Sequence, residues 1–288
     1  MTPATGSDLR VILPLAGVLR RGGHGDDGSG NALLSGNRSI LVAALACLLC
    51  VGVAEAYTAL GRPSVAATLA KWTPLIAKGF AFNVAISIAA MAIGTVLGLF
   101  VGIAQISVVR PVRASASLLT QFFRNAPWLV LLFYCMLLLP FQIRIGGIVV
   151  PLPDWLKATF GLSLAVAANM SELTRGALLS IPSGQWESAE SLGFTRFRSL
   201  WVIILPQCIK RILPSWMNLY ALLLVSTPLC SIVGVNEVVT LTADALASES
   251  RNDLLVPMYL YILAWFFMVC YPLARWTLSL ERRFAVKG

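Results

Sequence analysis

The sequence is poor in charge. Only 12% of its 288 residues are Asp, Glu, Lys or Arg, about half the share usual in a soluble domain. Hydrophobic residues make up 58% of the chain, and its mean hydropathy is +0.80. A surface of that composition would not keep a monomer in solution, which excludes a soluble enzyme. The apolar content also excludes disordered and collagen-like chains. One integral membrane domain remains.

The chain also lacks the residues of most metal and acid–base sites. Its one histidine, His24, lies in a Gly- and Asp-rich stretch, so histidine-based chemistry is unavailable. The six cysteines lie mostly in apolar runs, as buried thiols do, and Cys47-x-x-Cys50 has no βαβ context for a redox role. The basic residues stand singly between apolar stretches, which argues against nucleic acid as a partner. We expect no metal site and no catalytic residue.

Long apolar runs make up most of the remainder. Residues 1–37 are a polar head, flexible and cytoplasmic by prediction, and six runs follow that are each near the roughly 20 residues that cross a bilayer as a helix. The predicted class is an all-α membrane protein with six transmembrane helices. Their predicted ranges are 40–60, 80–106, 116–140, 158–180, 213–235 and 257–280. We divide the chain into the head, a first helix with a periplasmic connection over 38–78, and a transporter core over 79–288.

The first helix has two interpretations. Ala54-Glu55-Ala56 follows an apolar run and is similar to a signal-peptidase site. The head before it is long and has no compact basic region, so we favour an uncleaved signal anchor. A mature chain that began near Tyr57 would contradict the six-helix prediction.

The second helix carries small residues at a spacing of four, which are Ala90, Gly94, Gly98 and Gly102. Such a stripe favours close approach of a neighbouring helix.

The basic residues predict the orientation. With the N-terminus inside and six crossings, sixteen of the 22 Lys and Arg residues fall on the inner side and six on the outer side. This asymmetry obeys the positive-inside rule, and the reversed topology does not. We expect a multi-pass protein of the cytoplasmic (inner) membrane with both termini in the cytoplasm.

The inner loop over residues 181–212 is too long for a turn and is patterned. Phe194, Phe197, Leu200 and Trp201 recur at three- and four-residue spacing, which predicts one apolar face of a short helix. Gly193 permits a positive-φ turn, so we predict two short helices joined there.

Three charges lie within or beside predicted membrane helices, where an unpaired charge is costly. Glu172 and Arg175 are three residues apart and share a helix face. We predict an ion pair between Glu172 and Arg124 of the third helix. The three residues act either as this structural tie or as solute contacts near the cytoplasmic gate.

The same loop carries a recognisable pattern. Glu187-Ser188-Ala189, then Gly193, then Ile203 and Leu205-Pro206 resemble the "EAA" loop of ABC importer permeases, with Ser188 in place of the first alanine. Phe122-Phe123-Arg124-Asn125-Ala126-Pro127 resembles the F-R-x-x-P segment of the polar amino-acid permeases, and Ser171-Glu172-Leu173-Thr174-Arg175-Gly176 their A-E-x-x-R-G segment. The resemblance covers roughly residues 79–288.

The resemblance implies a type I ABC importer membrane subunit of the histidine/arginine/glutamine class, with a five-helix core and a cytoplasmic coupling helix. The implied activity is translocation of a polar amino acid or related small zwitterionic solute by alternating access. The implied partners are a cytoplasmic ABC ATPase dimer, a second permease subunit (the same or a related chain) and an extracytoplasmic solute-binding protein, with lipid around them. ATP and Mg would reside on the ATPase, since this chain has no G-x-x-x-x-G-K-[ST] motif. The residues implied to dock on the ATPase are Glu187, Ser188, Ala189, Gly193, Ile203, Leu205 and Pro206.

The chain departs from the family pattern on helices that would line the pathway. Val225-Ser226-Thr227-Pro228-Leu229 stands where members commonly read K-D-T-S-L, and the proline predicts a kinked or broken helix. Asn169 replaces a usual tyrosine and Asn83 a usual threonine. The candidates for the pathway or its gate are therefore Asn83, Arg124, Asn169, Glu172, Arg175, Ser226 and Thr227.

Two other classes of function stay open at this point. A membrane-embedded enzyme would need clustered His, Asp or Glu residues, and only Glu172 and Glu55 qualify. An ATP-independent channel or carrier would lack a bound ATPase, so co-purification of an ATPase separates it from an importer.

Overall fold

The computed structural model of the protein describes residues 64–145 and 148–284. By internal contacts the chain divides into Met1–Arg62 and Pro63–Gly288, and the described residues belong to the second unit. The predicted head and first helix, with His24, Cys47, Cys50 and Glu55, lie outside the described residues. The expectations placed on them stay predictions.

Helix α1, Val65–Ala104, runs for 40 residues and begins at Ser64, whose hydroxyl accepts from the Ala67 N–H at 3.2 Å. The sequence predicted its start at Phe80. The additional N-terminal turns are held by Glu249, whose carboxylate accepts from Lys71 Nζ at 2.6 Å and Trp72 Nε1 at 2.9 Å. The hydrogen bond from the Lys71 ammonium holds the pKa of Glu249 below its usual range.

The third predicted helix is two helices, which corrects the prediction of one run over 116–140. Helix α2 spans Arg110–Asn125, helix α3 spans Trp128–Leu138, and their axes meet at 106°. Pro127 has no N–H to donate, and the residue before a proline avoids the helical region. Ala126 is accordingly extended, with ψ of 133°.

A β-hairpin follows α3, and the expectation of an all-α chain is wrong at this point. Strand β1, Gln142–Ile145, pairs antiparallel with β2, Ile148–Pro151, and Ile143 lies opposite Val150. Isoleucine and valine favour strands, and two glycines separate these two runs in the sequence. Each strand is only four residues long, too short to stand out from the apolar runs around it.

Helix α4, Asp154–Leu179, lies at the centre of the described bundle. Fifteen of its 26 residues are buried, and it packs most extensively on α1 and also on α2 and α3. The predicted small-residue stripe makes the main contact. A Cβ built on Gly94, Gly98 or Gly102 would lie 2.5–2.6 Å from side-chain atoms of Val166, Met170 and Thr174 respectively, so only glycine permits this approach.

Two short helices and a π turn connect α4 to the next long helix. Helix α5 spans Ser183–Ser191, α6 spans Arg196–Ser199, and a π-helical turn over Leu200–Ile204 leads into α7, Leu205–Ser226. The break predicted near Pro228 is present, since α7 ends at Ser226 and the short α8 covers Leu229–Ile232. Gly234, with φ of +89°, then turns the chain.

Two further helices complete the fold. Helix α9, Val238–Glu249, ends at Ser250 in the left-handed conformation. A 3-10 turn over Asn252–Leu254 leads into α10, Leu255–Phe284, which packs mainly on α7.

Three stretches of the described residues are long and apolar enough to cross a membrane: Val65–Ala104, Arg196–Ile232 and Asn252–Leu280. The bent pair of α2 and α3 adds a fourth if it counts as one span. Helix α4 is not among them, because Asp154, Lys157, Glu172 and Arg175 together with other polar residues lower its mean hydropathy. Its neighbours cover most of it, so it needs no apolar surface around its whole circumference. The predicted total of six is not confirmed.

Candidate functional site

The segment over residues 187–206, called the coupling segment below, bends at Gly193. Gly193 has φ of +78°, the Phe194 N–H donates to Ala189 O at 3.1 Å, and the Gly193 N–H donates to Glu190 O at 2.9 Å. These two bonds form a Schellman motif, which satisfies carbonyls at the end of α5. The two short helices joined at Gly193 are therefore present as predicted.

The coupling segment presents polar atoms outward and anchors itself inward. Glu187 and Ser188 are exposed, whereas Ala189 is buried. Ile203 and Leu205 are half-buried, and Pro206 is exposed. Among the described residues, no basic side chain pairs with Glu187. Its exposed carboxylate can accept hydrogen bonds.

Side-chain hydrogen bonds from α7 reach α5 and the end of α4. Gln207 Nε2 at the start of α7 donates to Gln185 Oε1 at 3.3 Å. Arg211, one turn further along α7, donates to Ser180 O at 3.0 Å and to Ser180 Oγ at 2.8 Å. These bonds connect the residues just before the coupling segment to α7.

The predicted apolar face of this segment is divided, which corrects the sequence interpretation. Leu200 is buried, whereas Phe197 is 73% exposed and Trp201 is 43% exposed. The backbone changes from α to π geometry at Leu200, and the wider turn moves the following side chains off the 3.6-residue spacing. The rings of Phe197 and Trp201 contact each other on the surface at 6.1 Å between centroids.

The charged residues Glu172, Arg175 and Arg124 come together, as predicted. Arg175 Nε donates to Glu172 Oε2 at 3.1 Å, and Arg175 Nη2 bonds the other carboxylate oxygen. Arg124 Nη1 at the end of α2 lies 4.0 Å from Glu172 Oε1. The pair within α4 is the closer one, and the predicted bridge between helices lies at the limit of ion-pair distance.

Asn83 and Thr227 also meet, and they share a partner that the sequence did not single out. Asn83 Nδ2 donates to Thr227 Oγ1 at 3.0 Å and to Glu237 Oε2 at 2.7 Å. All three residues are fully buried. Glutamate is not among the favoured helix caps, so the capping rule does not identify Glu237, although it caps α9.

The remaining pathway candidates do not join these groups. Asn169 Nδ2 donates to Ala165 O at 2.8 Å, and Ser226 Oγ donates to Leu222 O at 2.8 Å. Both bonds stay within their own helices, so these residues contribute to neither cluster.

Two further features were missed in the sequence. Gln105, Thr120 and Ser171 form a buried polar cluster that joins α1, α2 and α4, with Gln105 Nε2 3.0 Å from Thr120 Oγ1. A groove of about 440 Å³ lies between α1 and the start of α9, and its lining includes Lys78, Phe82 and Asn236. No sequence pattern predicts contacts between residues so far apart in the chain.

Within the described ranges, no group of three His, Cys, Asp or Glu residues could hold a metal ion.

Comparison with known proteins places these features in a wider set. The model of the family described as "Binding-protein-dependent transport system inner membrane component" matches residues 94–285. The matched region includes the coupling segment, the Glu172 cluster and Glu237.

The chain is similar to three named permeases over most of their length. It is 32% identical to the probable amino-acid ABC transporter permease protein YckA of Bacillus subtilis (strain 168), over 74% of this chain and 90% of YckA. It is 30% identical to the L-cystine transport system permease protein TcyB of the same strain, over 73% of this chain and 86% of TcyB. It is 28% identical to the arginine ABC transporter permease protein ArtQ of Escherichia coli (strain K12), over 66% of this chain and 85% of ArtQ.

Solved structures share the fold. A chain of an amino acid ABC transporter crystallised with histidines superposes with a TM-score of 0.63 at 25% identity, over 75% of this chain and 96% of that one. A chain of the MetNI methionine ABC transporter superposes with a TM-score of 0.56 at 16% identity, over 73% of this chain and 98% of that one. The second similarity concerns the fold alone.

Proposed function

Because the chain belongs to the family of binding-protein-dependent transport system inner membrane components, we propose that it translocates a polar amino acid or a related small zwitterionic solute. Its class is that of a membrane permease component of an ABC importer, which transports and is not an enzyme. The solute class is supported by the names of relatives for amino acids, L-cystine and arginine.

The observation that carries the proposal is the coupling segment itself. It combines the E-x-A, glycine and I-x-L-P spacing with a rigid glycine turn and an exposed carboxylate at Glu187. An exposed carboxylate suits a basic or N–H-donating group in the groove of a cytoplasmic ATPase. We assign residues 187–206 to docking on that ATPase.

The proposed assembly has three kinds of partner. Two permease subunits, identical or related, enclose the path, an ATPase dimer holds ATP and Mg, and an extracytoplasmic binding protein delivers the solute. Closure of the ATPases displaces the coupling segments. The bonds from Gln207 and Arg211 then pass the displacement to α7 and α4, and the path alternates between its two openings. No covalent bond of the solute changes.

The Glu172 cluster contributes a gate in this proposal. Its pair between Arg124 and Glu172 joins α4 to the end of α2 next to the 106° bend, a place where two helices can separate. A rearrangement of Arg124 relative to Glu172 would accompany opening toward the cytoplasm.

The test is ATP-driven uptake into vesicles that hold the permease with its ATPase and receive loaded binding protein. Glu187→Ala should lower the uptake rate at least tenfold while the amount of permease in the membrane stays unchanged. Asp244→Asn, which removes an exposed carboxylate from α9, is the matched control and should transport normally.

Competition by a panel of amino acids identifies the solute. Uptake that continues without ATP would favour the channel or carrier alternative. Wild-type uptake of none of the amino acids would contradict the proposed solute class.

A further inference from the structure

Three fully buried polar residues connect three elements of the fold. Asn83 belongs to α1, Thr227 lies in the break after α7, and Glu237 caps α9. None of the three has accessible surface in this structure, so none of them faces a solute. Their polar atoms are occupied by one another and by the backbone.

Both amide hydrogens and the amide oxygen of the Asn83 side chain are hydrogen-bonded. Its two amide hydrogens go to Thr227 Oγ1 and Glu237 Oε2, and its oxygen accepts from the Val238 N–H at 3.2 Å. A primary amide offers two donor hydrogens and one acceptor oxygen. A reversed amide would bring its NH₂ against the Val238 N–H, so the contacts permit only one orientation.

Glu237 is equally constrained. Its Oε1 accepts from the Val239 N–H at 2.9 Å and the Thr240 N–H at 3.2 Å, while Oε2 accepts from Asn83. Every partner of the carboxylate is a donor. A glutamine at this position would therefore present an NH₂ group either to Asn83 or to the two backbone donors.

The surrounding backbone is packed closely at the same place. A Cβ on Gly79, one turn before Asn83, would lie 2.8 Å from the Val238 Cα. Thr227 donates in turn to Leu224 O at 2.8 Å, a carbonyl of the last turn of α7. The broken helix, α1 and the start of α9 therefore meet around one amide.

We propose that Asn83 and Glu237 are positioning residues that bind the break after α7 to α1 and α9, so that these elements move as one body during transport. This inference rests on the proposed function, because it assigns the body to a moving path. A broken helix has free backbone groups that need partners inside the protein. Here the Thr227 hydroxyl bonds a carbonyl of α7, while Asn83 and Glu237 accept from the N–H groups at the start of α9.

The test exchanges the donor and acceptor roles of the two residues. Asn83→Asp places a second carboxylate against Glu237, and Glu237→Gln places a second amide against Asn83. The double variant Asn83→Asp/Glu237→Gln restores one donor facing one acceptor, keeps the total charge, and leaves acceptors for the N–H groups of residues 238–240. Asn252→Asp, at an exposed site, controls for the chemistry of the change.

The readouts are the maximal uptake rate and the binding-protein concentration at half-maximal rate, each per assembled complex. We expect each single variant to lose at least tenfold in maximal rate, with the half-maximal concentration changed less than twofold. The double variant should recover to within threefold of wild type. A general loss of folding would lower the amount of complex and leave its rate unchanged.

A smaller change provides an independent arm. Thr227→Ser retains the hydroxyl and should transport normally, whereas Thr227→Val removes it and should be slow. If a single variant does not assemble, the uptake rates of the double variant and of the two Thr227 variants test the positioning role.

Contradiction takes two distinguishable forms. The positioning role is wrong if the single variants transport as fast as an active wild type. It is also wrong if the double variant assembles but has an uptake rate no higher than that of the slower single variant. A wild-type complex without ATP-driven uptake would contradict the proposed function and, with it, this inference.

Discussion

At the scale of single residues, Gly193 is the position where the coupling segment depends most on one amino acid. Its φ of +78° lies in the left-handed region, and a Cβ built on it would meet no atom within 4 Å. A side chain there would therefore encounter strain from its own backbone and none from its neighbours. That strain costs about 1–2 kcal/mol for an ordinary L-residue.

Gly193→Ala should lower ATP-driven uptake severalfold, because the strain shifts the turn that presents Glu187. Gly193→Asn should be milder, since asparagine tolerates the left-handed region better. Gly184→Ala is the matched control, because Gly184 lies in α5 with open space around it and no positive φ. Uptake per assembled complex is the measurement. Wild-type rates in both Gly193→Ala and Glu187→Ala would contradict the coupling role of the segment.

The sequence predicts a contact between two residues only where helical spacing or the cost of an unpaired charge implies it. The meeting of Glu172 with Arg175 follows from helical spacing, and that with Arg124 from the cost of unpaired charge near a membrane. The contact between Asn83 and Glu237 joins residues 154 positions apart. No local rule covers it, because the fold brings the two together through α1 and α9.

At the scale of elements, two prolines interrupt helices by the same physics, but the sequence predicts only one of the two breaks. Pro228 stands in a segment that departs from a family pattern, and the predicted break is there. Pro127 follows the polar pair Arg124 and Asn125 inside the range 116–140, and treating that range as one apolar helix concealed the bend between α2 and α3. Hydropathy reports where a chain can be buried, whereas proline determines where a helix must end.

The glycine stripe of α1 supports a prediction about packing. A Cβ at Gly98 would lie 2.5 Å from Met170 Cβ and 2.7 Å from Ala167 O, and neither atom is the end of a flexible side chain. Gly98→Ala should therefore force α1 and α4 apart and destabilise the protein by about 1–3 kcal/mol. Thermal unfolding in detergent measures the effect.

Gly176→Ala is the control for that experiment. Gly176 lies on an exposed part of α4 with open space around it, so the added methyl group should leave the unfolding temperature unchanged or raise it slightly. An equal unfolding temperature for Gly98→Ala and wild type would show that the helices separate without cost, contrary to the contact described.

At the scale of the whole molecule, charge predicts the orientation that the proposed coupling role requires. The chain carries a formal charge of +9, and the predicted topology assigns sixteen basic residues to one side and six to the other. Basic loops stay in the cytoplasm during insertion. The coupling segment must lie on that same side, because ATP is hydrolysed there.

Two exposed valines at opposite predicted sides allow this orientation to be measured. Val108, in the turn between α1 and α2, is 75% exposed and is predicted inside, whereas Val149 in strand β2 is 46% exposed and is predicted outside. With a membrane-impermeant maleimide, Val149→Cys should react in intact cells, and Val108→Cys should react only after the membrane is permeabilised. The unsubstituted protein sets the background, because among the described cysteines Cys270 is half-buried, whereas Cys135, Cys208 and Cys230 are buried. Reaction of Val108→Cys in intact cells would reverse the topology. It would also place the coupling segment, which lies one further crossing pair along the chain, on the side without ATP.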